Sequence, residues 1–373
     1  MSLRLHINAV GAVMGGAARH LPPFVGAVVK ARPDWELVVY CSPDGLPLPV
    51  PGVRVRTVQR KSWQRIVWDS VTVGRVAARD GADILINLAN YGPILSPVPS
   101  ILYQRNPIYF DPVWVRRMGI RHEIESFVRR AIAFSQIRGS AAVVVPSNAM
   151  AAYLRSWRGC PPDTRIEVIP HSVDIGRFTF TPAANLTRSR TSVRIVSLSH
   201  AAPHKGQELL IAMMKELRER GIDADLEATI SEEDDPKYVA SLRNLIDEAG
   251  LGQHVRFVGR VDAAQFLSQA DVMVLPSITE SFGFPIIEAM ACGVPVVASS
   301  IPSTTEVLGH SGWYFPVGDA SAATDQVVAV LEHDAESLRA QLLAAHDLAT
   351  TYSWERNARQ VVSLVEGIVS ATQ

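Results

Sequence analysis

Val272-Met273-Val274-Leu275-Pro276-Ser277-Ile278-Thr279-Glu280-Ser281-Phe282-Gly283-Phe284-Pro285-Ile286-Ile287-Glu288 is the stretch on which the reading of the fold turns. Its first four residues are apolar and uncharged, the pattern of a strand buried on both faces. Pro276-Ser277 ends the strand. A helix then opens near Phe284 or Pro285, because proline's missing N–H falls where a helix leaves its N–H groups unpaired anyway. The opening turn directs the amides of Phe282, Gly283 and Phe284 outward and carries about half a positive charge from the helix dipole. Gly283 allows a ligand close to the backbone, and a diphosphate suits such a turn. Glu280 precedes the helix and Glu288 lies one turn inside it. Two carboxylates beside a diphosphate are tolerable if each holds hydroxyls, which sugars and ribose provide.

Outward from this unit the same alternation repeats. Strand-like runs at Arg4–Val10, Glu36–Tyr40, Val53–Val58, Ile84–Leu88, Ser100–Tyr103, Ala141–Val145 and Arg165–Ile169 enclose helical stretches near 17–31, 62–80, 113–138 and 147–157. Beyond them, Ser192–Leu198, Asp225–Ile230, Val255–Val258, Val272–Leu275 and Val294–Ala298 read as strands, with helices near 206–220, 236–250, 262–270 and 284–292. Short Val/Ile/Leu runs separated by helices imply parallel sheets covered on both faces. The expected fold is α/β: two doubly wound Rossmann-like domains facing a cleft, with ligands at the carboxyl ends of the strands. The segment Arg177 to Thr191, with Pro182 and small polar residues, reads as the linker. Domains are expected at 1–180 and 190–350. The tail, about 321–371, reads as helices, the last one N-capped by Ser353.

A second group, Ser197-Leu198-Ser199-His200-Ala201-Ala202-Pro203-His204-Lys205-Gly206, follows the first strand of the later domain and leads into a helix. Lys205 there is placed to neutralise phosphate, and His200 and His204 add donors. Asp234-Asp235 reads as a solvated acidic turn, not half of a metal site.

Composition narrows the class. At 373 residues, 47% hydrophobic and 20% charged, the chain is neither disordered nor a coiled coil. No apolar run is long enough to span a membrane, and Met1–Val10 reads as a first strand and not a signal peptide. Three scattered cysteines (Cys41, Cys160, Cys292) support neither a disulfide framework nor a zinc site, so a reducing cytoplasm is expected. Residues 1–185 hold 22 Lys and Arg against 12 Asp and Glu, a net of +10, and residues 186–373 hold 14 against 25, a net of −11. Arg116, Arg117, Arg121, Arg129, Arg130 and Arg138 fall in one helical region. They make an anionic acceptor, or weak peripheral contact with the inner membrane face, a partner of the first domain. No nucleic acid is expected.

Glu280-Ser281-Phe282-Gly283-Phe284-Pro285-Ile286-Ile287-Glu288 resembles the EX7E signature of retaining GT-B glycosyltransferases, the large sucrose-synthase-like family that includes bacterial mannosyl- and glucosyltransferases. Ile166-Glu167-Val168-Ile169-Pro170 with Val173-Asp174 and Phe178 is similar to the family's domain-linking strand and loop. Phe257-Val258-Gly259 and Ala270 to Ser277 match its later strands, Gly15-Gly16 its first glycine loop, and Tyr352-Ser353-Trp354 its closing helix, which returns to the first domain. The resemblance implies a metal-independent, retaining hexosyltransferase that needs no cofactor, with a nucleoside-diphosphate sugar as co-substrate. Residues 1–180, completed by the helix 353–371, would bind the acceptor, and 190–350 the donor. Lys205 and His200 would meet the departing diphosphate and Glu280 the donor sugar's hydroxyls. Glu288 would bind the ribose, and Ser281, Phe282, Gly283 and Phe284 would cradle the diphosphate or sugar. Val258 and Gly259 would lie by the base, and Gly15 and Gly16 would approach the diphosphate.

Two departures from the family stand out. His200 occupies the position where the family has an arginine. Tyr103-Gln104-Arg105-Asn106-Pro107 stands where it often has a histidine, leaving Gln104, Arg105 or Asn106 to bind the acceptor. A sugar phosphorylase, a nucleotide-sugar epimerase of the same fold and a non-catalytic nucleotide-sugar-binding subunit are the alternatives.

Overall fold

A computed structural model of the chain describes residues 3–13, 15–45, 48–60, 62–182 and 192–372. The chain divides into two compact units, Met1–Ser172 with Tyr352–Gln373, and Val173–Thr351. Most of the linker expected at Arg177 to Thr191 lies outside the described residues, as does Met14 of the first glycine loop.

Among the described residues the first unit has seven strands: β1 (Arg4–Ala9), β2 (Glu36–Cys41), β3 (Val53–Thr57), β4 (Ile84–Asn87), β5 (Ser100–Tyr103), β6 (Ala142–Val145) and β7 (Ile166–Val168). They form one parallel sheet in the order β3-β2-β1-β4-β5-β6-β7. The strand order reverses at β1 and β4, with Leu5 opposite Leu37 on one side and Ile84 on the other. The central strands β4, β5 and β6 are buried along their length, as their uninterrupted apolar runs require. Edge strand β3, Val-Arg-Val-Arg-Thr, alternates apolar with polar residues and has no buried position.

Helix Trp354–Thr372 belongs to this unit although it closes the chain. Its Val361, Leu364, Val365 and Ile368 share a core with Phe24, Val25 and Val28 of helix Gly15–Ala31. Burying four such side chains contributes about 1.5–3 kcal/mol each. Ser353 caps the helix as expected, accepting from the Arg356 amide at 3.3 Å, and Asn357 Nδ2 donates to Pro170 O at 2.7 Å.

Two first-unit expectations are corrected. The helix expected over 113–138 is two, Pro112–Arg117 and Ile120–Arg138, because Gly119 at φ +81° breaks the helical path between them. The helix after β1 starts at Gly15, so Gly15 and Gly16 form its first turn and not the preceding loop.

The second unit's described strands are β8 (Val193–Ser197), β9 (Ala224–Ala228), β10 (Val255–Phe257), β11 (Val272–Leu275), β12 (Val296–Ser299) and β13 (Trp313–Phe315). They form a parallel sheet in the order β10-β9-β8-β11-β12-β13. The three-residue β13 and the helix Pro302–Leu308 before it went unread, being too short to show a period.

Candidate functional site

Strands β8 and β11 are neighbours, so the loops leaving their carboxyl ends lie side by side. The first loop carries Lys205 and the second Glu280. Lys205 Nζ lies 2.5 Å from Glu280 Oε1, and only 12% and 13% of the two side chains remain exposed. Ser277 Oγ donates to the same oxygen at 3.0 Å.

The backbone explains the meeting. Lys205 ends a short turn, Pro203–Lys205, and Gly206 follows at φ +62°. A Cβ on Gly206 would stand 2.5 Å from the carbonyl oxygen of Pro276, so only glycine lets the two loops touch there. Ile278 N donates to His204 O at 2.9 Å, a further tie between them. Helix Glu208–Glu219 therefore begins beyond the lysine, not at Gly206.

Gln207 locks the first loop. Its buried amide donates to Ser199 Oγ at 2.8 Å and to His200 O at 3.0 Å, and its Oε1 accepts from Ala202 N at 3.2 Å. Asp234 holds the other side, accepting from Ala201 N at 2.9 Å and Ser231 N at 3.2 Å. The turn is there over residues 232–234, and only its expected solvation is corrected. Asp234 is a loop brace, and Asp235 caps helix Pro236–Glu248 through the Tyr238 amide. The second loop is tied to β12, where the buried Ser299 donates its hydroxyl to Ser277 O.

Charge in the pocket follows from this packing. Burial opposes ionisation of Glu280, but the Lys205 ammonium, with the Ser277 hydroxyl, outweighs it and holds its pKa below the usual carboxylate value. Burial and then Lys205 depress His204 to about 3, so it is neutral at physiological pH. His200 is exposed, yet the protein atoms crowding one side of its ring and then the neighbouring Lys205 hold its pKa below 6.5.

At the start of helix Phe284–Cys292, Gly283 stands at φ +98° and Pro285 lies in the first turn, as the motif requires. Phe282 is buried, with its ring 6.0 Å from that of Phe284. Ser281 and Glu288 are half-buried. At the end of β10, Val258 N donates to Ala228 O and Gly259 N to Ile230 O. Gly259 adopts φ +67°, with open space where a side chain would stand.

The structure therefore joins Lys205 to Glu280, with His200 and His204 beside them. Gln207 and Ser299 were not singled out, and Ser277 and Asp234 were read for other roles, as a strand end and a solvated turn. The only signal for Gln207 was its place two residues after the lysine.

In the first unit the residues expected to meet an acceptor are tied to the scaffold. Gln104 is buried and donates to Asn90 O at 2.8 Å. Arg105 donates to Leu88 O, and Asn106 Oδ1 accepts from Ile108 N at 3.1 Å. Burial lowers the Arg105 pKa to about 10.

Residues 184–345 match the family profile described as Glycosyl transferases group 1, and residues 14–177 match Glycosyltransferase Family 4. The two matches are consecutive and take up most of the chain, which belongs to the glycosyltransferases of the GT-B type. The chain is 32% identical over 211 residues to a phosphatidyl-myo-inositol mannosyltransferase of Mycobacterium leprae, covering 54% of each chain. It is 28% identical over 246 residues to a D-inositol 3-phosphate glycosyltransferase of Jonesia denitrificans, covering 62% of this chain and 58% of the relative. It thus spans little more than half the length of either. In fold it is similar to a sucrose-phosphate synthase from Thermosynechococcus elongatus, with a TM-score of 0.79 at 19% identity, covering 99% of this chain and 100% of that one. Anabaena HepE solved with UDP-glucose gives a TM-score of 0.76 at 19% identity, covering 98% and 100%.

Proposed function

We propose that the chain is a retaining, metal-independent hexosyltransferase that uses a nucleoside-diphosphate sugar and a hydroxyl acceptor. The observation that carries this reading is the buried Lys205–Glu280 pair beside the helix that starts at Gly283. In the free protein each charge satisfies the other. A diphosphate beside Lys205 would become the ammonium's partner and release Glu280 to accept hydrogen bonds from the donor sugar's hydroxyls.

The helix start favours an anion through its dipole. As the bond between the anomeric carbon and phosphate oxygen breaks, Lys205 stabilises the charge that develops on the leaving group, an effect typically worth about a hundredfold to a thousandfold in rate. The acceptor oxygen bonds to the anomeric carbon on the face the leaving group vacates. Its proton passes to the released diphosphate. No protein nucleophile is needed, and positioning does the rest. The names of the relatives, a mannosyltransferase and a glycosyltransferase acting on inositol compounds, support this class.

The test is thermal stabilisation by UDP, GDP and ADP. One of them at a hundred times its dissociation constant adds about 2.7 kcal/mol to the stability of the whole chain. The gain persists in EDTA and disappears in Lys205→Ala. Stabilisation by none of the three sinks the donor reading, and a gain restored only by magnesium or manganese sinks metal independence.

A further inference from the structure

Glu280 is held through one of its two oxygens. Lys205 Nζ and Ser277 Oγ both reach Oε1, at 2.5 and 3.0 Å. Oε2 has no hydrogen-bond partner among the described residues. The two donors differ in how firmly they are anchored. Lys205 arrives from another loop on a flexible stem. Ser277 is fully buried, and its short side chain gives the hydroxyl little freedom.

The backbone under Ser277 is braced from behind. Ser299, at the end of β12, donates its hydroxyl to Ser277 O. Thr304 Oγ1, in helix Pro302–Leu308, donates in turn to Ser299 O at 2.5 Å. Ser299 and Thr304 are as fully buried as Ser277, so water does not compete for these bonds. A line of donors thus runs from that helix through β12 to the carboxylate, and it does not pass through Lys205.

The line matters when the ion pair opens. A diphosphate carries more charge than a carboxylate, and the ammonium follows it. Glu280 then stands buried without its cation, a state that drives a carboxylate to take a proton or to turn toward water. A hydrogen bond from a fixed hydroxyl opposes both, because it favours the ionised form and pins the oxygen that accepts it. With Oε1 pinned, Oε2 is the oxygen left to accept from a ligand's hydroxyl.

We propose that Ser277 is a positioning residue, which holds Glu280 by Oε1 so that Oε2 reads the hydroxyls of the donor sugar once the diphosphate has taken Lys205. The inference rests on the transferase reading for the identity of the donor. It adds a division of labour, in which Lys205 answers to the diphosphate and Ser277, through Glu280, to the sugar.

The experiment is calorimetric titration of the full chain with UDP and UDP-glucose, GDP and GDP-mannose, and ADP and ADP-glucose. The readout is the ratio of the conjugate's affinity to that of its own diphosphate. Ser277→Ala lowers this ratio about tenfold relative to the wild-type chain, the worth of one hydrogen bond to a charged group. The affinity for the diphosphate itself is unchanged, which also shows that the variant is folded. Lys205→Ala weakens binding of both ligands. Without the hydroxyl Glu280 takes a proton more readily, so the ratio in Ser277→Ala falls further between about pH 7 and 5, while the wild-type ratio holds. His200 bears on both ligands, and its titration cancels in the ratio. A ratio that Ser277→Ala leaves at the wild-type value overturns the inference and leaves the donor reading standing. Equal loss of both affinities in that variant makes Ser277 a support of the loop and overturns the inference as well. A wild-type chain that binds none of these ligands removes the donor reading itself, and the inference with it.

Discussion

At the carboxyl end of the six-stranded sheet, the loops after β8 and β11 bring opposite charges into contact, Lys205 against Glu280. At the carboxyl end of the seven-stranded sheet, the loop after β5 turns Gln104, Arg105 and Asn106 onto its own backbone and that of its neighbours. Both arrangements satisfy buried polar groups, as they must. They differ in what a newcomer can do to them. A largely dehydrated ion pair has two partners that a third charge can separate, and each freed group then seeks a ligand. The bonds from Gln104 and Arg105 to backbone carbonyls leave no pair of opposite charges for a newcomer to part. The same doubly wound architecture therefore carries a buried ion pair at one sheet end and side-chain-to-backbone bonds at the other.

Breaking the ion pair has the largest expected effect. Lys205→Met leaves Glu280 buried without its cation, which costs about 3–5 kcal/mol of stability, and lowers transfer at least about a hundredfold. Adding Glu280→Gln removes the stranded charge, so the double variant recovers most of the stability and none of the transfer. Chemical denaturation and a turnover assay on both proteins separate the two roles. A double variant that transfers sugar would make the pair purely structural.

The first unit is probed by Gln104→Ala. It leaves the Asn90 carbonyl without its donor, and stability falls by about 1–3 kcal/mol, while nucleoside-diphosphate affinity and the acceptor KM hold. A raised acceptor KM with unchanged melting would turn the loop after β5 into a binding surface and erase the contrast.

The smallest effect sharpens the ion-pair side. In the free protein the His200 pKa lies below 6.5, and a bound diphosphate raises it by favouring the imidazolium. The bound state then holds more protons than the free one. Donor affinity strengthens as pH falls and weakens as pH rises through the bound-state pKa. Between about pH 7.5 and 6 the gain stays under about tenfold, and His200→Arg abolishes it. Calorimetry in buffers of different ionisation enthalpy reads the proton uptake directly. Affinity that is flat with pH would leave His200 a packing residue and Lys205 the sole cation.

Most of the fold was legible because parallel strands buried on both faces must be continuous apolar runs, as in Ile84–Asn87 and Val272–Leu275. The motif around Gly283 was legible for a similar reason, since left-handed glycine and first-turn proline are local demands. The ion pair was not. Lys205 and Glu280 are 75 residues apart, and their contact depends on Gly206 fitting under the Pro276 carbonyl. Gln207 escaped notice and Asp234 was read as solvated because a polar side chain that braces a loop has the same composition as one that faces solvent. Gln104 and Arg105 were read for an acceptor from their place in the motif, and that place alone did not show their bonds to the Asn90 and Leu88 carbonyls.

The return of helix Trp354–Thr372 to the first unit has a consequence for the order in which the molecule comes into being. The second unit is one unbroken segment, Val173–Thr351, and all of it is translated before that helix. The first unit emerges earlier, yet its core still lacks Val361, Leu364, Val365 and Ile368 until that helix is made. Vectorial synthesis ordinarily lets the N-terminal domain fold first; here the half that is made first is completed last. A nascent chain that stops short carries an open apolar groove along helix Gly15–Ala31, a mark by which chaperones and proteases can tell a partial product from a whole one.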